Sequence, residues 1–247
     1  MSAFYQLFLV NLKIFYRNTQ GFYWTILMPA IIYIALSILP IGAFIHSDQV
    51  YSTYILPGVV AMTIMQTGIY GLAYWVIDLK TLGVIKRFLV TPLRPSTLIY
   101  ALVASRLVII IIEIAALTLI GKLFFQAPFS GNIISTLTIA MLGGAIFLLV
   151  GLLIANYARS YDAAAPITSA IALPLIFLGN IFYPNTLLPH ALQTVSKFLP
   201  ITYLADGLRQ AYLYPFAFER VENDLLFLVI WLVIMLAITI SVFRLKE

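Results

Sequence analysis

The chain has 247 residues, of which 63% are hydrophobic and only 9% charged, with a mean hydropathy of +1.05. That composition excludes an ordinary soluble domain and defines an integral membrane protein. The net charge of +5 sits in loops between apolar runs, a topological pattern rather than a nucleic-acid-binding stripe, and the absence of cysteine removes disulfides, thiol nucleophiles and thiolate metal sites.

The first residues lack the basic, apolar, then small-residue order of a cleaved signal peptide, so the mature chain is expected to begin near Met1. Residues 2–18 read as a helix lying on the membrane, with Phe4, Phe8, Leu12 and Phe15 at helical spacing and Gln6, Lys13 and Arg17 opposite; Asn11 breaks the pattern. This helix is either an anchor alone or an anchor that also touches a cytoplasmic partner. Gly21 permits the turn into the first crossing.

A helix needs about 20 apolar residues to cross a bilayer. Six segments qualify: 22–45, 54–77, 98–121, 133–156, 164–183 and 225–243. The predicted fold is therefore all-α, a single transmembrane domain over 1–247 with six transmembrane helices and both termini on one side. That side carries Lys13, Arg17, Lys80, Lys86, Arg87, Arg94, Arg106, Arg159, Arg244 and Lys246, ten of the 14 Lys and Arg residues. The other side receives Lys122, Lys197, Arg209 and Arg220 against Asp48, Asp206, Glu219, Glu222 and Asp224. The positive-inside rule assigns the basic side, and with it both termini, to the cytoplasm of a multi-pass plasma-membrane protein.

Between crossings two and three, residues 78–93 form a cytoplasmic loop. A short helix over 81–90 would place Leu82, Ile85 and Leu89 on one face and Lys80, Gly83 and Arg87 on another, and Thr91-Pro92 would end it. This is either a mechanical handle for a partner or a basic loop that only sets topology. On the second crossing, Gln66, Tyr70 and Tyr74 make an i, i+4, i+8 row that faces a translocation path or a packed neighbour. Glu113 is the one acid well inside a predicted crossing, with Arg106 two turns earlier on the same face. Intramembrane acids face protein or water, so Glu113 is a proton or coupling-ion site, or it pairs with a group on a neighbouring helix or with Arg106. Arg106 alternatively snorkels to the interface. Ala140, Gly144, Gly151 and Ala155 line one face of the fourth crossing, the small-residue pattern of close helix packing.

Residues 184–224 are too polar to cross and too apolar for a free loop. Prolines at 184, 189, 200 and 215 divide them into helical pieces, Leu188 to Phe198 and Ile201 to Tyr214, read as external interfacial or re-entrant elements capping the mouth. His190 and His46 are the only histidines, which argues against catalytic or metal sites. No phosphate-binding loop, Ser-His-Asp set or HExxH motif is present, so the chain is not expected to be an enzyme and holds no cofactor.

Four stretches together resemble the type-2 permeases of ATP-binding-cassette (ABC) exporters, which move drugs, lipids or polysaccharides out of the cell. They are YSTYILPGVVAMTIMQTG, LGVIKRFLVTPLRPSTLIYA, GLLIANYARSYDAAAP and IFYPNTLLPHALQTVSKFLPITYLADGLRQ. The resemblance covers nearly the whole chain. It departs at Asp78-Leu79-Lys80-Thr81, where the family often has an acidic residue and a glycine ahead of the Thr-Pro. The resemblance implies an N-terminal interfacial helix, a cytoplasmic coupling helix, short external helices before the sixth crossing, a second permease chain (identical or a paralogue) and cytoplasmic ABC subunits that bind ATP and Mg. It assigns coupling to Lys80, Gly83, Lys86, Arg87, Thr91 and Pro92, and a substrate path to Gln66, Tyr70, Phe177 and Asn180. The substrate would be hydrophobic or amphipathic, such as a drug, lipid or peptide; the alternatives are polysaccharide export in the same family and an ATP-independent secondary carrier using Glu113.

Overall fold

A computed structural model describes residues 3–39, 51–215 and 218–242. Among them there are helices and turns and no strand. Helices α1 (Ala3–Arg17) and α2 (Thr19–Ile38) meet at Asn18, whose side-chain oxygen accepts from the Gly21 amide. Helix α3 (Tyr51–Gln66) runs through a π turn (Thr67–Gly71) into α4 (Leu72–Thr81), making one long rod. A short α5 (Val84–Leu89) follows, then α6 (Pro95–Phe125), with proline at its first position where no amide partner is lost. Asn132 caps α7 (Ile133–Tyr157) and Ser160 caps α8 (Tyr161–Leu178), each by accepting from amides in the first turn. A 3-10 turn (Asn185–Leu187), α9 (His190–Ser196), α10 (Pro200–Leu213) and α11 (Phe218–Val242) complete the chain.

Six helices among the described residues are long and apolar enough to cross a membrane: Gly21–Ile38, Tyr51–Thr81, Ser96–Phe125, Ile133–Tyr157, Tyr161–Leu178 and Arg220–Val242. The all-α membrane fold read from composition is the fold observed. The α3–α4 rod is the axis of the bundle, with 83% of its most apolar stretch buried against 17% for α11. Helix α11 instead turns Leu226, Val229, Val233 and Ile240 outward, as a lipid-facing helix does.

Several boundaries differ from those read in the sequence. The second crossing is longer than 54–77, so Asp78 and Lys80 belong to α4 rather than to a loop. The single helix expected over 81–90 is broken, because Gly83 takes φ +68°, a left-handed conformation that ends α4 and restarts the chain as α5. Leu82 is consequently exposed while Ile85 is buried, so the two do not share a face; the Leu89 side chain lies outside the described residues. The fifth helix stops at Leu178 rather than 183, since Asn180 is itself left-handed at φ 55°. The sixth begins at Phe218, which makes residues 218–224 part of that helix rather than of the segment before it. Residues 40–45 of the first crossing, with His46, Asp48, Arg244 and Lys246, lie outside the described residues.

In a bilayer, helices associate mainly through close packing and interhelical hydrogen bonds, because lipid tails are as apolar as leucine. One close approach joins α7 to the π turn. A Cβ added at Gly151 would lie 2.3 Å from the Gly68 carbonyl oxygen, and one at Gly68 would lie 2.5 Å from Phe147 Cβ. Ala140, Gly144, Gly151 and Ala155 are all buried, so the small-residue face serves packing. Helix α10 is more than a cap. Ile201, Leu204, Ala205, Leu208, Ala211 and Tyr212 are buried as it packs among α3, α7 and α11.

Candidate functional site

The cleft forms where the rod, α2, α8 and the end of α1 leave space between them. It has a volume of about 580 Å³, and Thr63, Gln66, Thr67, Tyr70, Gly71, Tyr74, Trp75 and Asp78 line one wall. These positions recur every three or four residues, so a single face of α3, the π turn and α4 borders the cleft from mid-rod to the basic end, the end bearing Lys86 and Arg87. Opposite it stand Trp24, Thr25, Met28 and Pro29 of α2 with Leu173 and Ile176 of α8, while Phe15, Asn18 and Arg106 close the basic end. The mixture is mostly aromatic and aliphatic, with a few hydroxyl and amide groups, which suits an amphipathic guest.

Gln66 and Tyr70 therefore border the cleft. Phe177 and Asn180 are not among its lining residues. Phe177 is exposed, and its carbonyl accepts from the Tyr183 hydroxyl. Asn180 joins a polar cluster at the far end of the bundle. There the Tyr54 hydroxyl donates to Asn180 Oδ1 at 3.0 Å, and Asn180 Nδ2 donates to Asp206. Arg209 Nη1 donates to Asp206 Oδ1 at 2.8 Å, Nη2 to the Asn180 carbonyl at 2.8 Å and Nε to the Tyr54 carbonyl at 3.3 Å, with the guanidinium 4.0 Å from the Tyr54 ring centroid. This cluster ties α10 to α3 and to the turn after α8. Burial pushes the Asp206 carboxyl above its ordinary range, and the Arg209 charge and the hydrogen bonds from Asn180 and Arg209 pull it back. Sequence reasoning counted Asp206 and Arg209 only as charges; their i, i+3 spacing inside an apolar helix was the available signal.

Glu113 is buried at the π turn. The Thr67 hydroxyl donates to Glu113 Oε1 at 2.7 Å, while Oε2 has no partner among the described residues. Thr67 borders the cleft and Glu113 does not, so the carboxyl stands behind the wall, with a structural partner on an adjacent helix. Arg106 lies on the same α6 face but forms no ion pair with it; its guanidinium lies over the rings of Trp75 and Phe15, at 5.5 and 5.7 Å from their centroids. Asn11, the residue that broke the α1 pattern, accepts from the Trp75 indole at 3.2 Å, so α1 is fastened to the rod through it.

At the basic end, Lys80 donates to the Ala155 carbonyl at the end of α7, and the Tyr161 hydroxyl donates to Asp78, so these two side chains face their own bundle. Lys86, Arg87, Thr91 and Pro92 are exposed, and beside them Leu82, Val84 and Val90 expose apolar surface. Nothing lies within 4 Å of a Cβ built on Gly83. Among the described residues no group of three or more metal-ligating side chains occurs.

Six membrane-length helices, five of them around the buried rod, with a cleft along one face of that rod, define a multi-pass α-helical membrane protein. The chain belongs to the ABC-2 type transporter family, whose model matches residues 2–213, that is, everything up to the end of α10. It is similar to the inner membrane transport permease YadH of Escherichia coli (strain K12), of Escherichia coli O157:H7 and of Shigella flexneri. Each is 29% identical over 168 residues, which cover 66% of this chain and 63% of the relative. The match thus spans less than two thirds of the length of these curated relatives.

Proposed function

We propose that the chain is the membrane permease of an ATP-driven exporter in the plasma membrane, with both termini and the basic end in the cytoplasm. The observation that carries this reading is a mechanical one. The rod whose face borders the cleft ends in the exposed α5, joined to it by a single residue pair, Leu82-Gly83. A partner that moves α5 would move the wall of the cleft. Family membership and the relatives' description as transport permeases support the same reading.

In this proposal a cytoplasmic ABC subunit supplies ATP hydrolysis with bound Mg, since the chain carries no phosphate-binding loop and performs no catalysis itself. Two permease chains, identical or paralogous, pair in the membrane lipid, and closure of the ATPases shifts the cleft from inward to outward access. Lys86, Arg87, Thr91, Pro92 and the apolar surface around α5 form the docking face. Lys80 acts indirectly, by holding the rod to α7. Gln66 and Tyr70 meet a hydrophobic or amphipathic substrate. Asn180, with Tyr54, Asp206 and Arg209, closes the far end while the cleft is open.

The test is purification of the chain from membranes with its complexes intact, followed by reconstitution. An ATP-binding-cassette subunit should co-purify, and transport should stop when ATP is depleted with the proton gradient maintained. Transport that survives ATP depletion and follows the proton gradient would replace this reading with the secondary carrier built on Glu113.

A further inference from the structure

We infer that the cleft contains an anion-recognition subsite at Arg106, and that the guest is an anionic amphiphile: a phosphate, sulfate or carboxylate head on an apolar body. This rests on the cleft being the transport path and deepens that reading by naming the substrate's chemistry.

Arg106 is 9% exposed and borders the basic end of the cleft. Its guanidinium carries five N–H donors in a planar fork. Among the described residues none of them is hydrogen-bonded or ion-paired; the ring faces of Phe15 and Trp75 are its neighbours. Buried charges are ordinarily paired, because desolvation without a partner is costly. Among the described residues neither nearby acid bonds to it: Asp78 accepts from Tyr161, and Glu113 stands behind the wall with its Oε1 on Thr67. A guanidinium that borders the cleft, lies over two aromatic rings and makes no hydrogen bond among the described residues fits a bidentate oxyanion from outside the chain.

The surroundings specify the rest of the guest. Trp24, Met28, Leu173 and Ile176 extend the cleft away from Arg106 as an apolar wall. A head held at Arg106 would lie at the basic end, with its tail along that wall. A cationic head is the poorer fit at this position, since the buried guanidinium of Arg106 would repel it.

Trp75, whose ring centroid lies 5.5 Å from the Arg106 guanidinium, is a built-in reporter. The chain has 3 tryptophans, so Trp24→Phe with Trp231→Phe leaves it alone. This full-length chain in phosphatidylcholine nanodiscs would be titrated with decyl phosphate, decanol and decyltrimethylammonium, following Trp75 emission. Brominated phosphatidylglycerol and brominated phosphatidylcholine, doped into the bilayer, would be compared as quenchers. We expect a saturable response to decyl phosphate only, and stronger quenching by the anionic lipid if the guest enters from the bilayer. Arg106→Gln should weaken decyl phosphate by about tenfold or more, the scale of a charge-assisted hydrogen bond. Lys122→Gln, the same charge change at the exposed far end of α6, should leave it unaltered.

Equal responses to the three decyl compounds would overturn the inference, as would an unchanged affinity in Arg106→Gln. Inorganic phosphate reproducing the full effect would make the site one for free anions and overturn the amphiphile. Arg106→Lys, which keeps the charge and loses the fork, stands in if the glutamine variant does not fold; if neither folds, the head-group selectivity of the parent decides alone. None of these measurements needs ATP or a partner subunit, so their failure is distinct from failure of the exporter reading.

Discussion

The hydroxyl of Thr67 donates to Glu113 Oε1 at 2.7 Å, joining the first residue of the π turn to the middle of α6. The bond crosses between two helices and both side chains are buried, so losing either partner leaves the other short of a hydrogen bond. Glu113→Gln keeps an acceptor for Thr67 but places an amide donor where Oε2 has no partner. We expect it to lower thermal stability in detergent by about 1 kcal/mol, the scale of an interhelical hydrogen bond in a membrane protein, and to leave partial transport. Thr67→Val should cost a similar amount and be less than additive with it. A fully stable, wholly inactive Glu113→Gln would instead identify an obligatory proton carrier.

Close packing at the other side of the same turn gives a sharper loss. A Cβ at Gly151 meets the Gly68 carbonyl oxygen at 2.3 Å, and a backbone oxygen cannot swing aside as the end of a long side chain would. Gly151→Ala must therefore separate α7 from the rod, with a destabilisation of about 1–3 kcal/mol. Gly83→Ala offers the contrast. Space there is open, and only the φ of +68° opposes it, at about 1–2 kcal/mol and confined to the α4–α5 joint. Thermal melts of the two variants should show a global loss for Gly151 and a small one for Gly83.

Much of this architecture was legible in the residues, and the failures have identifiable causes. The six apolar stretches and the small face of α7 follow directly from hydropathy and from the spacing of Ala140, Gly144, Gly151 and Ala155, and Glu113 announced its need for a partner by being an acid among isoleucines. The π turn left no trace, because an inserted residue within Thr67–Gly71 changes hydrogen-bond register without requiring any residue type. Two misplaced ends did leave signals. Gly179-Asn180 is a helix-stop pair, and reading it would have moved Asn180 out of the fifth crossing; Leu82-Gly83 stops α4 in the same way. The burial of α10 was hidden by Asp206 and Arg209, which neutralise each other inside the bundle although each counts as polar in a sequence window.

At the far end, Arg209 links three chain segments through one side chain. Arg209→Met would preserve length and remove every donor, leaving the partly exposed Asp206 carboxylate with only Asn180 and water to bond it. The Asp206 side chain is 35% exposed, so water takes up part of the lost pairing and the cost should be about 1–3 kcal/mol; this variant should melt below the parent, and Asp206→Asn in the same chain should restore part of the loss. If the single variant melted with the parent, the cluster would have no structural role.

Membrane sidedness is open to direct labelling because the chain contains no cysteine. With the basic end inside, Ser96→Cys at the start of α6 should resist an impermeant thiol reagent applied to intact cells. Asn185→Cys, in the turn after α8, should react. The reverse pattern would invert the topology and with it the assignment of α5 to the cytoplasm.

Docking of an ATPase on α5 makes a prediction that depends on charge and leaves the fold intact. Lys86 and Arg87 are exposed on a helix of 6 residues whose neighbours Leu82, Val84 and Val90 are also exposed, so reversing both charges alters the surface without opening the core. Lys86→Glu with Arg87→Glu should therefore leave the amount of folded protein in the membrane and its melting temperature nearly unchanged. Substrate-stimulated ATPase activity of the complex should fall, because a docking face that attracted a partner now repels it. Screening distinguishes this from a packing defect. Exposed charges separated by about 8 Å or more are largely masked at physiological ionic strength and more so at higher salt, so added salt should narrow the gap between variant and parent. Normal coupled activity in the double reversal, at low salt as well as high, would remove electrostatics from the account of how α5 meets its partner.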